Sequence, residues 1–133
     1  MEEMVHFGNP IDIPGLIIAG GETTVSVKGT GKGGRNQELA LEAALHLTDL
    51  NGVVLIALGT DGTDGPTEVA GAIVDGTTSH RAKKKGIDIT QHLENNDSYP
   101  VFKKLGDHIQ TGATGTNVND LMLIVSLKND MTP

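Results

Sequence analysis

Apolar residues gather in short runs separated by glycine-rich polar loops. Leu16–Ala19 reads as a short buried strand, and Gly20-Gly21 turn the chain into Thr23–Val27, an alternating β-branched stretch that predicts a second strand. Asn36–Asp49 has helical periodicity. Asn36 is placed to cap it, and Glu38, Glu42, His46 and Asp49 make a polar stripe, while Leu41, Ala44, Leu45 and Leu47 point elsewhere. Val53–Leu58 is apolar throughout, the pattern of a central parallel strand covered on both faces. Ala72–Val74 predicts a short strand and Thr77–Lys85 a helix stopped by Gly86. Thr90–Asn95 is a helical turn, Ser98–Leu105 a helix stopped by Gly106, and Leu121–Leu127 the last strand. Met1–Phe7 reads as the end of a helix closed by Gly8. The expected fold class is α/β: a layered, mixed, partly parallel sheet flanked by helices in a single domain.

Composition narrows the function classes. At 133 residues the chain can bury a core, and with 2% aromatics that core must be aliphatic. The absence of cysteine excludes a disulfide scaffold, thiolate catalysis and a zinc–thiolate site, and fits a reducing, cytoplasmic setting. The net charge of -7 and the scarcity of aromatics argue against a nucleic-acid partner. No apolar run has membrane-spanning length, and the acidic start predicts no leader.

Against that acidic background, Lys28, Lys32 and Arg35 sit around Gly29, Gly31, Gly33 and Gly34 with no acid among them. Glycines allow close approach of backbone N–H groups, and the following helix start favours an anion, so the loop reads as a phosphate or carboxylate site. A glycine-rich turn with solvated cations is the competing reading. The spacing Gly29-x-Gly31-x-x-Gly34 formally matches a dinucleotide fingerprint, but Val53–Leu58 stands where the confirming acid belongs. Lys32 is followed by Gly33, so a P-loop fails as well. In the second loop, Asp61 and Asp64 can either hold Mg²⁺ or only shape turns. The third, Thr111–Asp120, carries six short polar side chains suited to a hydroxylated or phosphorylated ligand, or to side-chain-to-backbone turns. The five histidines lack metal-ligand spacing.

Five segments occur in order: Gly20-Gly21-Glu22-Thr23-Thr24-Val25, Gly33-Gly34-Arg35-Asn36-Gln37-Glu38, Asp61-Gly62-Thr63-Asp64-Gly65-Pro66-Thr67, Asn96-Asp97-Ser98-Tyr99, and Thr111–Leu121. Together they closely resemble the C-terminal MOFRL domain of type-2 glycerate kinases, over about residues 8–127. Ala113 stands where that family usually has proline. The resemblance implies ATP-dependent, Mg²⁺-assisted phosphorylation of glycerate to 2-phosphoglycerate. It also implies a cleft shared with a larger N-terminal α/β domain, without which this chain is expected to be inactive. It divides the chain into an inter-domain helix remnant (1–8), the MOFRL-like domain (9–127) and a tail (128–133). It makes Arg35 the catalytic residue and Asp61 and Asp64 the Mg²⁺ ligands. The implied phosphate or substrate contacts are Lys32, Gly33, Gly34, Asn36, Glu38, Thr63, Thr114, Thr116, Asn117, Asn119 and Asp120. A non-catalytic nucleotide-binding module and an NAD(P)-dependent hydroxypyruvate reductase are the alternatives. An apolar face left open by the absent domain predicts self-association.

Overall fold

The computed structural model describes residues 2–127; the expected tail, 128–133, lies outside them. In chain order the elements are α1 (Glu2–Phe7), β1 (Gly15–Gly21), α2 (Arg35–His46), β2 (Val53–Gly59), β3 (Gly71–Asp75), α3 (Thr78–Lys84), α4 (Ile89–Glu94), α5 (Ser98–Leu105), β4 (His108–Ile109) and β5 (Asp120–Ser126). Among the described residues the strands form one sheet in the order β1-β5-β2-β3-β4.

Every pairing in that sheet is antiparallel, which corrects the partly parallel sheet expected from sequence. The apolar run of β2 is central, as expected, but β5 returns beside it against its direction. The register sets Gly59 opposite Asp120 and Gly21 opposite Asp120, so three strand ends meet at one edge. Thr23–Val27 is a second correction. It leaves β1 past Gly21 and belongs to no strand, because β1 is an edge strand paired only with β5. The two-residue β4 is too short for a periodicity to reveal it.

Helix α2 lies on one face of β2 and β3, and α3, α4 and α5 pack around it as the second layer. The core joins Ala40, Leu41, Ala44 and Leu47 of α2 to Val53, Leu55 and Ala57 of β2 and to Phe102 of α5. Alanines on the helix face let it approach the sheet closely, which suits a chain with few aromatics. Gly86 and Gly106 do stop their helices, both with left-handed backbone. No helix among the described residues is long and apolar enough to cross a membrane.

Candidate functional site

The glycine loop is pinned to the turn before α5. Asn96 Oδ1 accepts hydrogen bonds from the backbone N–H of Lys28 (2.7 Å) and Gly29 (2.9 Å), and Asn95 Oδ1 accepts from Thr30 (3.1 Å). Gly31 N–H donates to the Asn95 carbonyl at 2.9 Å, and Asp97 Oδ1 accepts from Lys32 N–H at 2.8 Å. The donors that the sequence suggested for a phosphate are thus satisfied from Lys28 to Lys32 by Asn95, Asn96 and Asp97. The glycines here serve packing. A Cβ on Gly31 would lie 2.3 Å from Asp97 Cβ, and one on Gly29 2.3 Å from the Asn95 carbonyl oxygen. Neither has a left-handed φ, so the requirement is steric. Gly31→Ala is therefore expected to cost about 2 kcal/mol in chemical denaturation. Gly20→Ala, whose nearest neighbour would be 4.0 Å away, is expected to cost less than about 0.5 kcal/mol. Equal costs would contradict this account of the loop.

Gly33 and Gly34 lead into α2, and the residue that caps the helix comes from 28 positions further on. Asn36 was expected to cap α2; instead Gly34 is the N-cap and makes no side-chain cap bond. The Asp64 carboxylate takes that role. Its Oδ1 accepts from Asn36 N and Nδ2, both at 3.1 Å, and its Oδ2 accepts from Gln37 N (2.9 Å) and Nε2 (3.0 Å). Asp64 is only 2% exposed. A carboxylate at a helix N-terminus, filled by four N–H donors, is a cap and an anchor. It does not fit the expected Mg²⁺ ligand, since both oxygens are already occupied. Asp61 is turned the same way, its Oδ1 accepting from Thr63 N (3.0 Å) and Thr63 Oγ1 (3.2 Å). No group of three or more metal-binding side chains occurs among the described residues. Asp64 thus spends both oxygens on the start of α2, whereas Oδ2 of Asp61 accepts no hydrogen bond among the described residues.

Arg35 is the first residue of α2 and remains partly exposed. Its Nε donates to Asp120 Oδ2 at 2.5 Å and its Nη2 to Asp120 Oδ1 at 3.0 Å, a side-on pair, while Nη1 lies 3.1 Å from Glu22 Oε1. Asp120 is 4% exposed and starts β5 at the edge where β1 and β2 also end. Burial pushes its carboxyl up, but the hydrogen bonds from Arg35 and Asn36 and the Arg35 charge outweigh burial and hold it below the ordinary carboxylate range. Glu22 is the exposed partner, its side chain more than half open to solvent. An incoming carboxylate or phosphate can replace it on the free edge of the guanidinium while Asp120 keeps the plane fixed.

Lys32 is engaged elsewhere. Its Nζ lies 4.4 Å over the Tyr99 ring and 3.9 Å from Glu68, whose carboxylate also accepts from the Tyr99 hydroxyl. The third loop folds over the second. Thr60 N–H (3.0 Å) and Oγ1 (2.7 Å) donate to the Asn119 carbonyl, Thr114 Oγ1 to the Thr60 carbonyl (2.5 Å), and Asn119 N–H to Asn117 Oδ1 (3.0 Å). Thr116 contributes its carbonyl, accepting from Thr114 Oγ1 at 3.2 Å. The loop is exposed along its length, and Asn119 adopts φ 67°, which turns the chain into Asp120. Thr63 stays exposed beside it. Sequence reasoning gave no role to Glu22, Thr60, Asn95 or Gln37. The consecutive Asn95-Asn96-Asp97 was the available signal for the loop anchor.

Glu38 lies one turn after Arg35 and does not join the polar stripe of Glu42 and His46; it is buried, and its Oε1 has no hydrogen-bond partner. Burial pushes its carboxyl above the ordinary value of 4.5, only partly offset by the nearby polar groups of Ser98 and Asn96, and the Asp64 charge adds to the rise. A folded pKa above the unfolded one favours the protonated form. The stabilisation it brings is full below 4.5 and is lost as pH rises through the raised value. Glu38→Gln is expected to raise stability at pH 7 by about 1 kcal/mol and to flatten the slope above pH 4.5. Denaturation curves from pH 4 to pH 8 check this; parallel slopes for both proteins would contradict it. Arg35 and Glu38 also line a groove of about 940 Å³ between the extended segment 23–28 and helices α2 and α4.

The fold and this arrangement define a two-layer α/β domain that presents a fixed arginine and an exposed polar loop from one edge of an antiparallel sheet. The chain belongs to the MOFRL family, whose model matches residues 15–120. It is 55% identical over 123 residues to a D-glycerate 2-kinase of Thermotoga maritima, covering 92% of this chain and 30% of that protein. It is 46% identical over 134 residues to a glycerate 2-kinase of Pyrococcus horikoshii, covering 99% and 30%. A glycerate kinase of Mus musculus is 46% identical over 119 residues, covering 84% and 23%. The crystal structure of a Thermotoga maritima glycerate kinase superposes with a TM-score of 0.93 at 53% identity, over 95% of this chain and 30% of that one. A Pyrococcus horikoshii protein superposes with a TM-score of 0.90 at 45% identity, over 96% and 29%. The chain thus spans less than a third of these relatives.

Proposed function

We propose that this chain acts as the MOFRL portion of a glycerate 2-kinase, in which ATP phosphorylates the 2-hydroxyl of glycerate to give 2-phosphoglycerate. The observation that carries the reading is Arg35, held side-on by buried Asp120 while its remaining edge is covered only by exposed Glu22. Phosphoryl transfer needs positioning and charge neutralisation more than covalent chemistry from the protein. Arg35 would bind the glycerate carboxylate or the transferring phosphoryl group, both of which match its planar fork. Asp120 keeps the guanidinium oriented. Asp64, through the first turn of α2, keeps Arg35 at the cleft edge, and the Thr111–Asn119 loop supplies hydroxyl and amide groups for the substrate hydroxyls. ATP is the cosubstrate. The remaining machinery would come from the larger N-terminal domain, and the isolated chain is inactive.

The test replaces the matching segment of the Thermotoga maritima kinase with this chain. Turnover dependent on both ATP and glycerate is expected from the chimera and not from the chain alone. A folded chimera without turnover would refute the reading, as would oxidation of NADPH with hydroxypyruvate in its place.

A further inference from the structure

An antiparallel sheet with one solvated face ordinarily alternates apolar and polar residues along each strand. This one does not. The face toward α2 carries Val53, Leu55 and Ala57, and these belong to the core. The opposite face is equally apolar. In the register, Ile18, Leu123, Ile56 and Ile73 form one row across four strands, and Leu16, Val125 and Val54 form the next. No described helix packs on this side: Ile18 is 61% exposed and Leu16 48%. A continuous aliphatic surface of this kind marks an interface.

We propose that this face seats the larger part of the kinase chain through an aliphatic surface of that part; the inference rests on the functional reading above. Two observations favour this occupant over a second copy. The relatives hold more than twice as much additional chain as this segment contains, and this same domain superposes within them over 95% of its length. The apolar face also runs up to Leu121 and Leu58, adjacent to Asp120 and Gly59 at the strand ends that carry the Arg35 site. A body seated on the face therefore borders Arg35 and closes a cleft over it. Two copies of this chain paired face to face would bury the same surface without completing any site.

The chain has no cysteine, which allows a direct test. Ile18→Cys and Ile56→Cys are made singly, with Lys84→Cys on the helix layer as control, in the isolated chain and in the chimeric Thermotoga maritima kinase. Maleimide modification is located by mass spectrometry on the peptide carrying each substitution. In the isolated chain, Ile18→Cys is expected to react at the control rate. In the chimera it is expected to react at least tenfold more slowly than the control until the protein is denatured. Reaction at the control rate in a chimera that phosphorylates glycerate would overturn this inference and leave the functional reading intact. Protection in a folded chimera without turnover would do the reverse. Protection already present in the isolated chain, with a dimer mass by sedimentation, would give the face to a second copy and overturn the proposal. Should the chimera fail to fold, the same substitutions at the matching positions of the natural Thermotoga maritima enzyme give the same two outcomes.

Discussion

Asp64→Ala is expected to lower the stability of this domain by about 3–4 kcal/mol, enough to leave much of the chain unfolded at ordinary temperatures. The size of the effect follows from what the carboxylate holds. It accepts from the backbone N–H groups of Asn36 and Gln37 and from both of their side-chain amides, at 2.9–3.1 Å. Asn36 and Gln37 are themselves buried, at 2% and 0% exposure, so truncation strands four donors away from water. It also removes a negative charge from the start of α2, where the helix dipole favours one. Asp64→Asn keeps the shape but turns an amide NH₂ toward donors, and should lose about 2 kcal/mol. Urea denaturation measures both. A loss below about 1 kcal/mol for Asp64→Ala would show that the carboxylate is not the anchor, and would return it to the metal-ligand role expected from sequence.

Arg35→Ala is expected to cost about 2–3 kcal/mol of stability, because it leaves the Asp120 carboxylate buried beside the strand ends with no cation. Adding Asp120→Asn to that background should recover most of the loss, since the buried charge is then gone. The same pair predicts a pH effect. Because the folded Asp120 carboxyl titrates below its ordinary value of 3.8, its contribution is present above that pH and lost as pH falls further. In Arg35→Ala burial is no longer outweighed, so the acid-side loss should reverse, with acidification now relieving the unpaired charge, and in the double variant the dependence should disappear. A double variant no more stable than Arg35→Ala would show that the pair is not coupled in this way.

Much of this was legible in the sequence, and the failures have physical reasons. β2 and β5 announce themselves as unbroken apolar runs, and α2, α3 and α5 by periodicity with Gly86 and Gly106 as stops. Strand direction was not legible. A run such as Val53–Leu58 reads as the middle of a parallel sheet because both of its faces are apolar, yet the same pattern arises in an antiparallel sheet whose second face awaits another body. Thr23–Val27 alternates like a strand but has no partner beyond the edge of β1. The glycine loop stood out correctly as a place of close approach. What approaches it is Asn95–Asp97, some 65 residues later, and sequence carries no sign of which partner a glycine makes room for. Asp64 illustrates the same gap: its loop was marked, but a cap that acts across 28 residues is invisible to local reading. Arg35 stood out in the basic glycine loop and Asp120 at the end of the polar third loop, but only the structure shows them as one pair.

The most direct test of the central claim measures glycerate phosphorylation by the chimeric Thermotoga maritima kinase carrying this chain, with and without the stability-matched Arg35→Ala/Asp120→Asn pair. Loss of a preorganised arginine from a phosphoryl-transfer site should lower kcat/KM by about 10³-fold in a protein that remains folded. A variant that keeps its turnover within about threefold of the parent would show that Arg35 is a structural arginine and that the chemistry of the kinase lies elsewhere.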